Sequence, residues 1–216
     1  MDFKRALGAE FRAVREVDHG GQPARAVEGT RFYLTEPEDL WHALTDPERL
    51  PRWFLPITGE LRLGGRFQLE GHAGGTIKRC DPPRLLEVTW EYGGNVSWVE
   101  LRLAPEKGGA RLTLVHTMLK DEESEAHWAT YGPGATGVGW DLALFGLGLH
   151  LESGNSGAGG AESVRKASDA WLASEAGKTF IRARADEWGS AHVAGGENAE
   201  VAAAMAAQTA KFYTGE

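Results

Sequence analysis

The sequence predicts an α+β fold in which a curved antiparallel sheet holds one buried helix, with a hydrophobic space between them. Two observations carry this prediction. Residues 137–151, GVGWDLALFGLGLHL, are apolar on nearly every side of a helix, and such a segment has to be buried. Between residues 59 and 118, short segments alternate apolar and polar residues and are separated by turns rich in glycine and proline. That pattern is typical of an antiparallel meander with one buried face.

Within the buried helix, four residues stand out. Asp141 is expected near its start and His150 near its end, where the helix dipole favours charges of these signs. Gly146 and Gly148 cost helix stability, so they indicate a surface that needs close approach or empty space. The segment is too short and too rich in glycine to span a membrane, which takes about 18 or more apolar residues.

The composition limits the partners and the chemistry. A formal net charge of −8, with basic residues scattered, argues against nucleic-acid or anionic-membrane binding. The single Cys80 excludes an intrachain disulfide and any metal site built from several cysteines. The histidines show no metal-binding spacing, so we expect neither a metal nor a cofactor. The first residues lack an apolar signal core, and a cytoplasmic location is the simplest expectation.

The elements follow one another in a clear order. Residues 1–24 end in a polar turn and are expected to form a loose first strand or arm, and residues 25–34 read as a strand. Two short helices follow in residues 35–54, and the meander comes next. A polar loop over residues 121–137 then leads to the buried helix.

We therefore divide the chain into three parts. Residues 1–152 form the sheet-and-helix domain, and residues 153–163 are a flexible linker rich in glycine and serine. Residues 164–216 show only helical periodicity and are expected to pack on the domain as a helical extension. Its last helix places Val201, Met205, Gln208 and Phe212 on one seam, which equally suits a lid over the domain or a homodimer contact.

The order of strand, helix pair, meander and long helix is that of the helix-grip fold. The segments ALTDPERLPRWF, GGRFQLE, DPPRLLEVTWEY and GVGWDLAL resemble those of the family similar to activators of the heat-shock chaperone ATPase. That family belongs to the START/birch-allergen/polyketide-cyclase superfamily (SRPBCC). The resemblance covers roughly residues 25–151, and the helical extension looks like an actinobacterial-type variant. It implies binding or processing of a hydrophobic molecule, although members of the superfamily differ widely in function.

In a helix-grip fold, the sheet face toward the long helix lines a cavity. The alternation of the strands and the helix periodicity predict which side chains line it, and a pocket of this kind suits a lipid, an aromatic molecule or a polyketide. The predicted ligand-binding residues are Trp41, Trp53, Phe54, Phe67, Leu69, Val88, Trp90, Leu101, Leu103, Leu112, Leu114, His116, Met118, Trp140, Leu144 and Phe145. Trp41, Trp53 and Phe54 are expected at the mouth. The alternative is that these side chains fill a solid core.

His116 is an ionisable residue on an apolar face. It could orient a ligand or act as an acid or base, but a core histidine bonded to a neighbouring hydroxyl or carbonyl is the more common arrangement. The leading hypothesis for function is therefore non-covalent binding of a small hydrophobic ligand. The second is a cyclase or dehydratase that uses His116 with Tyr33 or Tyr92 for proton transfer. The third is a protein-interaction or chaperone-modulating role on the outer face at Trp98, which the extension is expected to cover.

Overall fold

Eight strands form one antiparallel sheet in a computed structural model, which describes residues 9–153 and 168–216. The strands are β1 (Phe11–His19), β2 (Gln22–Tyr33), β3 (Ile57–Gly59), β4 (Arg66–Leu69), β5 (Gly74–Asp81), β6 (Leu85–Tyr92), β7 (Asn95–Glu106) and β8 (Gly109–Leu119). Their order in the sheet is β1-β2-β8-β7-β6-β5-β4-β3. The last strand thus pairs with the first hairpin, and the sheet curves around the buried helix. The predicted α+β helix-grip architecture is confirmed.

The helices flank this sheet. They are α1 (Pro37–Thr45), a short 3-10 helix (Leu50–Arg52), α2 (Glu122–Tyr131), α3 (Gly134–Glu152), α4 (Glu175–Ala194) and α5 (Ala199–Thr214). The predicted buried helix is α3, which contacts β2 on the sheet and α4 on its other side. None of the helices in the described ranges has the length and apolar character to cross a bilayer.

The loose first strand or arm expected in residues 1–24 is a strand, and within the described residues it is part of a regular hairpin. Strand β1 pairs with β2 along its whole length, from Phe11 opposite Thr30 to His19 opposite Gln22. The turn uses Gly20 and Gly21 with φ angles of 62° and 84°, a left-handed conformation that suits a tight hairpin turn. The sequence of β1 is largely polar and does not alternate, so it did not predict a regular strand. Pairing with β2, and not an apolar face, stabilises this edge strand.

The expected polar loop before α3 contains a helix, α2. Its sequence shows no apolar period, and the helix is stabilised at its start instead. The Asp121 carboxylate accepts a hydrogen bond from Ser124 N–H, and the Ser124 hydroxyl accepts one from Asp121 N–H, which forms a capping box. Acidic residues fill the first turn, where the helix dipole favours negative charge.

Glycines let α3 approach its neighbours closely. A Cβ on Gly146 would lie 2.9 Å from the Trp53 carbonyl oxygen, and one on Gly148 would lie 2.7 Å from the Arg31 guanidinium. On the opposite side, a Cβ on Gly137 would lie 2.2 Å from the Trp188 ring of α4. The glycines of this helix therefore mark points of close packing, as the sequence indicated.

The helical extension packs on α3 and on the outer strand β1. Trp188 and Ile181 of α4 are buried there, whereas Val201 and Phe212 of α5 are exposed. Trp98 on the outer sheet face was expected to lie under the extension, but α4 and α5, the helices of the extension given above, have no substantial contact with β7. The Trp98 ring packs instead on His19, with ring centroids 3.8 Å apart. The predicted linker lies, apart from its first residue, outside the described residues.

Candidate functional site

An apolar cavity of about 350 Å³ lies between the concave face of the sheet, α3 and α1. Its walls come from strands β3 to β8, and α3 closes it with Trp140, Ala143 and Leu144. The described residues that line it carry no charge, and they include the hydroxyl of Thr45 and the thiol of Cys80. Thr45 donates its hydroxyl to the Trp41 carbonyl, so its hydrogen is already used within the helix. This space can bury an uncharged hydrophobic molecule.

Most of the predicted ligand-binding residues line this cavity. Those that do are Trp41, Phe54, Phe67, Leu69, Val88, Trp90, Leu101, Leu112, Leu114, Trp140 and Leu144. Strand alternation placed the seven that lie on strands, because one face of the sheet points inward. Leu86 and Val99 also line the cavity, and the same alternation could have identified them. Leu61, Cys80 and Pro82 also line the cavity and were not predicted to do so; they lie in loops or at a strand end.

Two predicted residues lie beside the cavity instead of on its surface. Trp53 was expected at the mouth, but its indole N–H donates to the Ala43 carbonyl at 2.9 Å and its ring stacks behind Phe54. Leu103 belongs to the core cluster that α1 covers, at the far end of β7. The correct inward parity of Leu103 did not put it in the cavity, because α1 fills that part of the concave face.

Two others face the helical extension. Met118 ends β8 in the cluster that includes Trp188, and its sulfur lies 3.6 Å from the Thr136 hydroxyl. Phe145 points away from the sheet and stacks on Trp171 and Phe180, with ring centroids 5.1 Å and 5.3 Å away. The sequence could not tell which side of α3 faces the cavity, because the helix is apolar all round.

His116 lies behind the cavity wall, buried, with both ring nitrogens engaged. The Trp140 indole N–H donates to His116 Nδ1 at 3.0 Å, and Nε2 lies 2.8 Å from Ser97 Oγ. An indole nitrogen can only donate, so Nδ1 is the acceptor and Nε2 carries the proton that goes toward Ser97. The Ser97 hydroxyl in turn donates to the Trp90 carbonyl at 3.1 Å. Burial lowers the pKa of His116 to about 4, so the ring is neutral near pH 7.

The proton-transfer partners proposed for His116 lie elsewhere. The Tyr33 hydroxyl is buried and donates to the Leu144 carbonyl at 3.1 Å. Tyr33 lies on β2 and pairs with Ala110, which is six positions from His116 along β8. Tyr92 is more than half exposed and stacks on His72. The structure does not bring these groups together, and the described residues contain no cluster of metal-ligating side chains.

A buried ionic cluster behind α3 was not anticipated. Asp141 was expected at a helix end, but α3 begins at Gly134, so Asp141 lies well inside the helix with its side chain 0% exposed. Its carboxylate accepts from the Arg12 guanidinium at 2.8 and 3.1 Å, from Trp188 Nε1 at 2.8 Å and from the Ala9 backbone N–H at 2.5 Å. Arg12 also pairs with Glu187. Asp141 therefore connects α3 to both β1 and α4.

A curved sheet around a long helix, with an apolar cavity between them, defines a helix-grip domain, a fold that generally binds ligands in such a cavity. The chain belongs to the family of activator of Hsp90 ATPase homolog 1-like proteins, whose model matches residues 34–152. The family resemblance inferred from sequence is thus confirmed. No curated protein matches the chain.

Solved structures agree with this assignment. The crystal structure of CalU16 from Micromonospora echinospora is 35% identical, covers 76% of this chain and 96% of its own, and has a TM-score of 0.57. Its solution structure matches at 32% identity over 87% of this chain and 97% of its own, with a TM-score of 0.67. That match is longer than residues 1–152, so it includes part of the helical extension. DynU16, from the dynemicin biosynthetic locus, shares the fold at 20% identity and a TM-score of 0.50, over 60% of this chain and 48% of its own.

Proposed function

We propose that this protein binds a small, uncharged hydrophobic molecule in the cavity between the sheet and α3. The observation that carries the proposal is the cavity itself: about 350 Å³ of space with an uncharged, mainly apolar lining. A designed apolar cavity of roughly 150 Å³ holds one benzene. This space therefore suits a ligand of about two or three rings, or a folded chain of similar volume.

Binding without chemistry is the reading that the side chains favour. Two histidines lie beside the aromatic wall that Phe54, Trp90 and Trp140 form. His72 meets Trp90 edge-on and stacks on Tyr92, whereas both ring nitrogens of His116 are occupied by Trp140 and Ser97. An acid or base needs a free lone pair or proton aimed at the substrate. The neutral His116 ring, with a hydrogen bond at each nitrogen, instead holds the wall in place. This arrangement favours a carrier or sensor over a cyclase or dehydratase.

The first test asks whether a ligand is carried. Native mass spectrometry of the freshly purified protein is compared with the same sample after denaturation. An excess mass that disappears on denaturation supports the proposal, and extraction of the released molecule identifies its class.

The second test places binding in the cavity. The neutral fluorescent probe N-phenyl-1-naphthylamine is titrated into the wild type and into Ala143→Phe, which adds a ring to a cavity-lining position of α3. Ala207→Phe, at an exposed position of α5, is the matched control. We expect the first variant to lose at least about tenfold in affinity and the control to bind as the wild type does. Equal binding by all three proteins would exclude this cavity as the site.

Cys80 offers an independent measurement, because it lines the cavity and is also exposed. A bound probe should slow alkylation of its thiol by N-ethylmaleimide, followed by mass. Unchanged alkylation at saturating probe, in a chain whose single cysteine is Cys80, would place the probe elsewhere.

A further inference from the structure

The rings of the aromatic wall are oriented by hydrogen bonds on the side that faces away from the cavity. Trp140 and Trp90 lie with ring centroids 5.2 Å apart, and Phe54 stacks on Trp140 at 6.4 Å with 27° between the ring planes. Trp90 and Trp140 both line the cavity. The rings therefore present defined surfaces to whatever occupies the space.

The hydrogen bonds of His116 hold this geometry. The ring receives the Trp140 indole N–H on one nitrogen and reaches Ser97 with the other, and Ser97 holds the backbone of Trp90. The relay thus connects α3 to β8, β7 and β6 behind the wall. Without an acceptor at residue 116, the indole N–H of Trp140 would be buried unpaired, and the ring would turn to find another partner.

We propose that His116 is a specificity-determining positioning residue that makes the cavity select flat aromatic molecules over aliphatic molecules of the same size. The inference rests on the proposed function, since it concerns the same cavity. Aromatic rings attract each other through their quadrupoles when offset-stacked or edge-to-face, and this attraction depends on orientation. An aliphatic ligand gains only from area burial, which is insensitive to the angle of the tryptophan ring.

The required chemistry at position 116 is one acceptor toward Trp140 and one donor toward Ser97. A glutamine amide has both, because its oxygen accepts and its nitrogen donates. Leucine has neither and is close in volume. His116→Gln should therefore keep the selectivity of the wild type, and His116→Leu should lose it.

The experiment measures displacement of N-phenyl-1-naphthylamine by naphthalene and by decalin, which share one carbon skeleton but differ in aromaticity. For His116→Leu we expect the dissociation constant of naphthalene to rise about three- to tenfold, with that of decalin nearly unchanged. His116→Gln should restore the preference for naphthalene. Ser97→Ala, which keeps the ring but removes its hydroxyl partner, should weaken the preference in part, and it replaces His116→Leu if that variant does not fold.

The outcomes separate this inference from the proposed function. If the wild type binds neither naphthalene nor decalin, the proposed function fails and the inference fails with it. If the wild type binds and the variants change both affinities alike or not at all, the inference alone is overturned. The same holds if His116→Gln behaves as His116→Leu does. In the ¹⁵N spectrum, a Trp140 indole resonance that shifts in His116→Leu and returns in His116→Gln supports the positioning role.

Discussion

Removing the charge of Asp141 should destabilise the whole domain. The Asp141 carboxylate is fully buried and accepts four hydrogen bonds, two of them from Arg12. In Asp141→Asn, the amide nitrogen would face the donors of Arg12, Trp188 or Ala9, and the Arg12 guanidinium, 6% exposed, would keep only Glu187 as its ionic partner. Removing one partner of a buried ion pair costs about 3–5 kcal/mol when the remaining charge stays buried. Glu187 is 42% exposed and compensates the buried Arg12 charge only in part.

The assay is urea unfolding at pH 7, monitored by circular dichroism. We expect the free energy of unfolding to fall by about 3–5 kcal/mol, a large part of the stability of a domain of this size. The matched control is Asp39→Asn, since Asp39 also pairs with an arginine, Arg49, but its side chain is 46% exposed. That change should cost no more than about 1 kcal/mol. A loss below about 1 kcal/mol for Asp141→Asn would refute the view that this cluster fastens α3 to β1 and α4.

Two further predictions concern pH and packing. The pKa of His116 is lowered from 6.5 to about 4, so between these values the unfolded chain binds a proton that the folded ring does not. The free energy of unfolding should therefore fall as the pH is lowered through this window, by roughly 3 kcal/mol from this group. His116→Gln should make the curve less steep without flattening it, because burial also lowers the pKa of His150 to about 4. An equally steep curve in the variant would contradict this assignment. Gly137→Ala places a methyl group 2.2 Å from the Trp188 ring and should lower the free energy of unfolding by about 2 kcal/mol, measured by urea unfolding. Gly189→Ala, whose Cβ would lie 3.2 Å from Ala206, should be nearly neutral, and equal effects of the two changes would argue against a tight contact between α3 and α4.

Strand alternation was a reliable guide to the cavity where the sheet has one wet and one dry face. Val88, Trp90 and Leu114 were placed on the concave face by period-two spacing alone, and they line the cavity. The guide failed for Leu103 and Met118, which share that face but lie where α1 and the extension fill it. Parity reports which face a side chain is on, but not what covers that face.

The same limit explains the errors on α3. Asp141 and Phe145 lie on a helix that is apolar nearly all round, so no amphipathic stripe indicates which side faces the sheet. Only the packing of α4 on its outer side made Phe145 part of a second core, and only the position of β1 at the sheet edge gave Asp141 the buried partner Arg12. Arg12 and Asp141 are far apart in sequence, and no local pattern links them.

The sequence by itself determined the fold class and the inward face of the meander, because both depend on local periodicity and short turns that act over a few residues. It determined the family through the resemblance of four segments. The tertiary structure decided the rest. It decided that the space between sheet and helix stays open, that His116 serves Trp140 and Ser97, and that Asp141 joins three elements. These features depend on contacts between residues distant in the chain, where shape and partner geometry select among arrangements that the local pattern leaves equal.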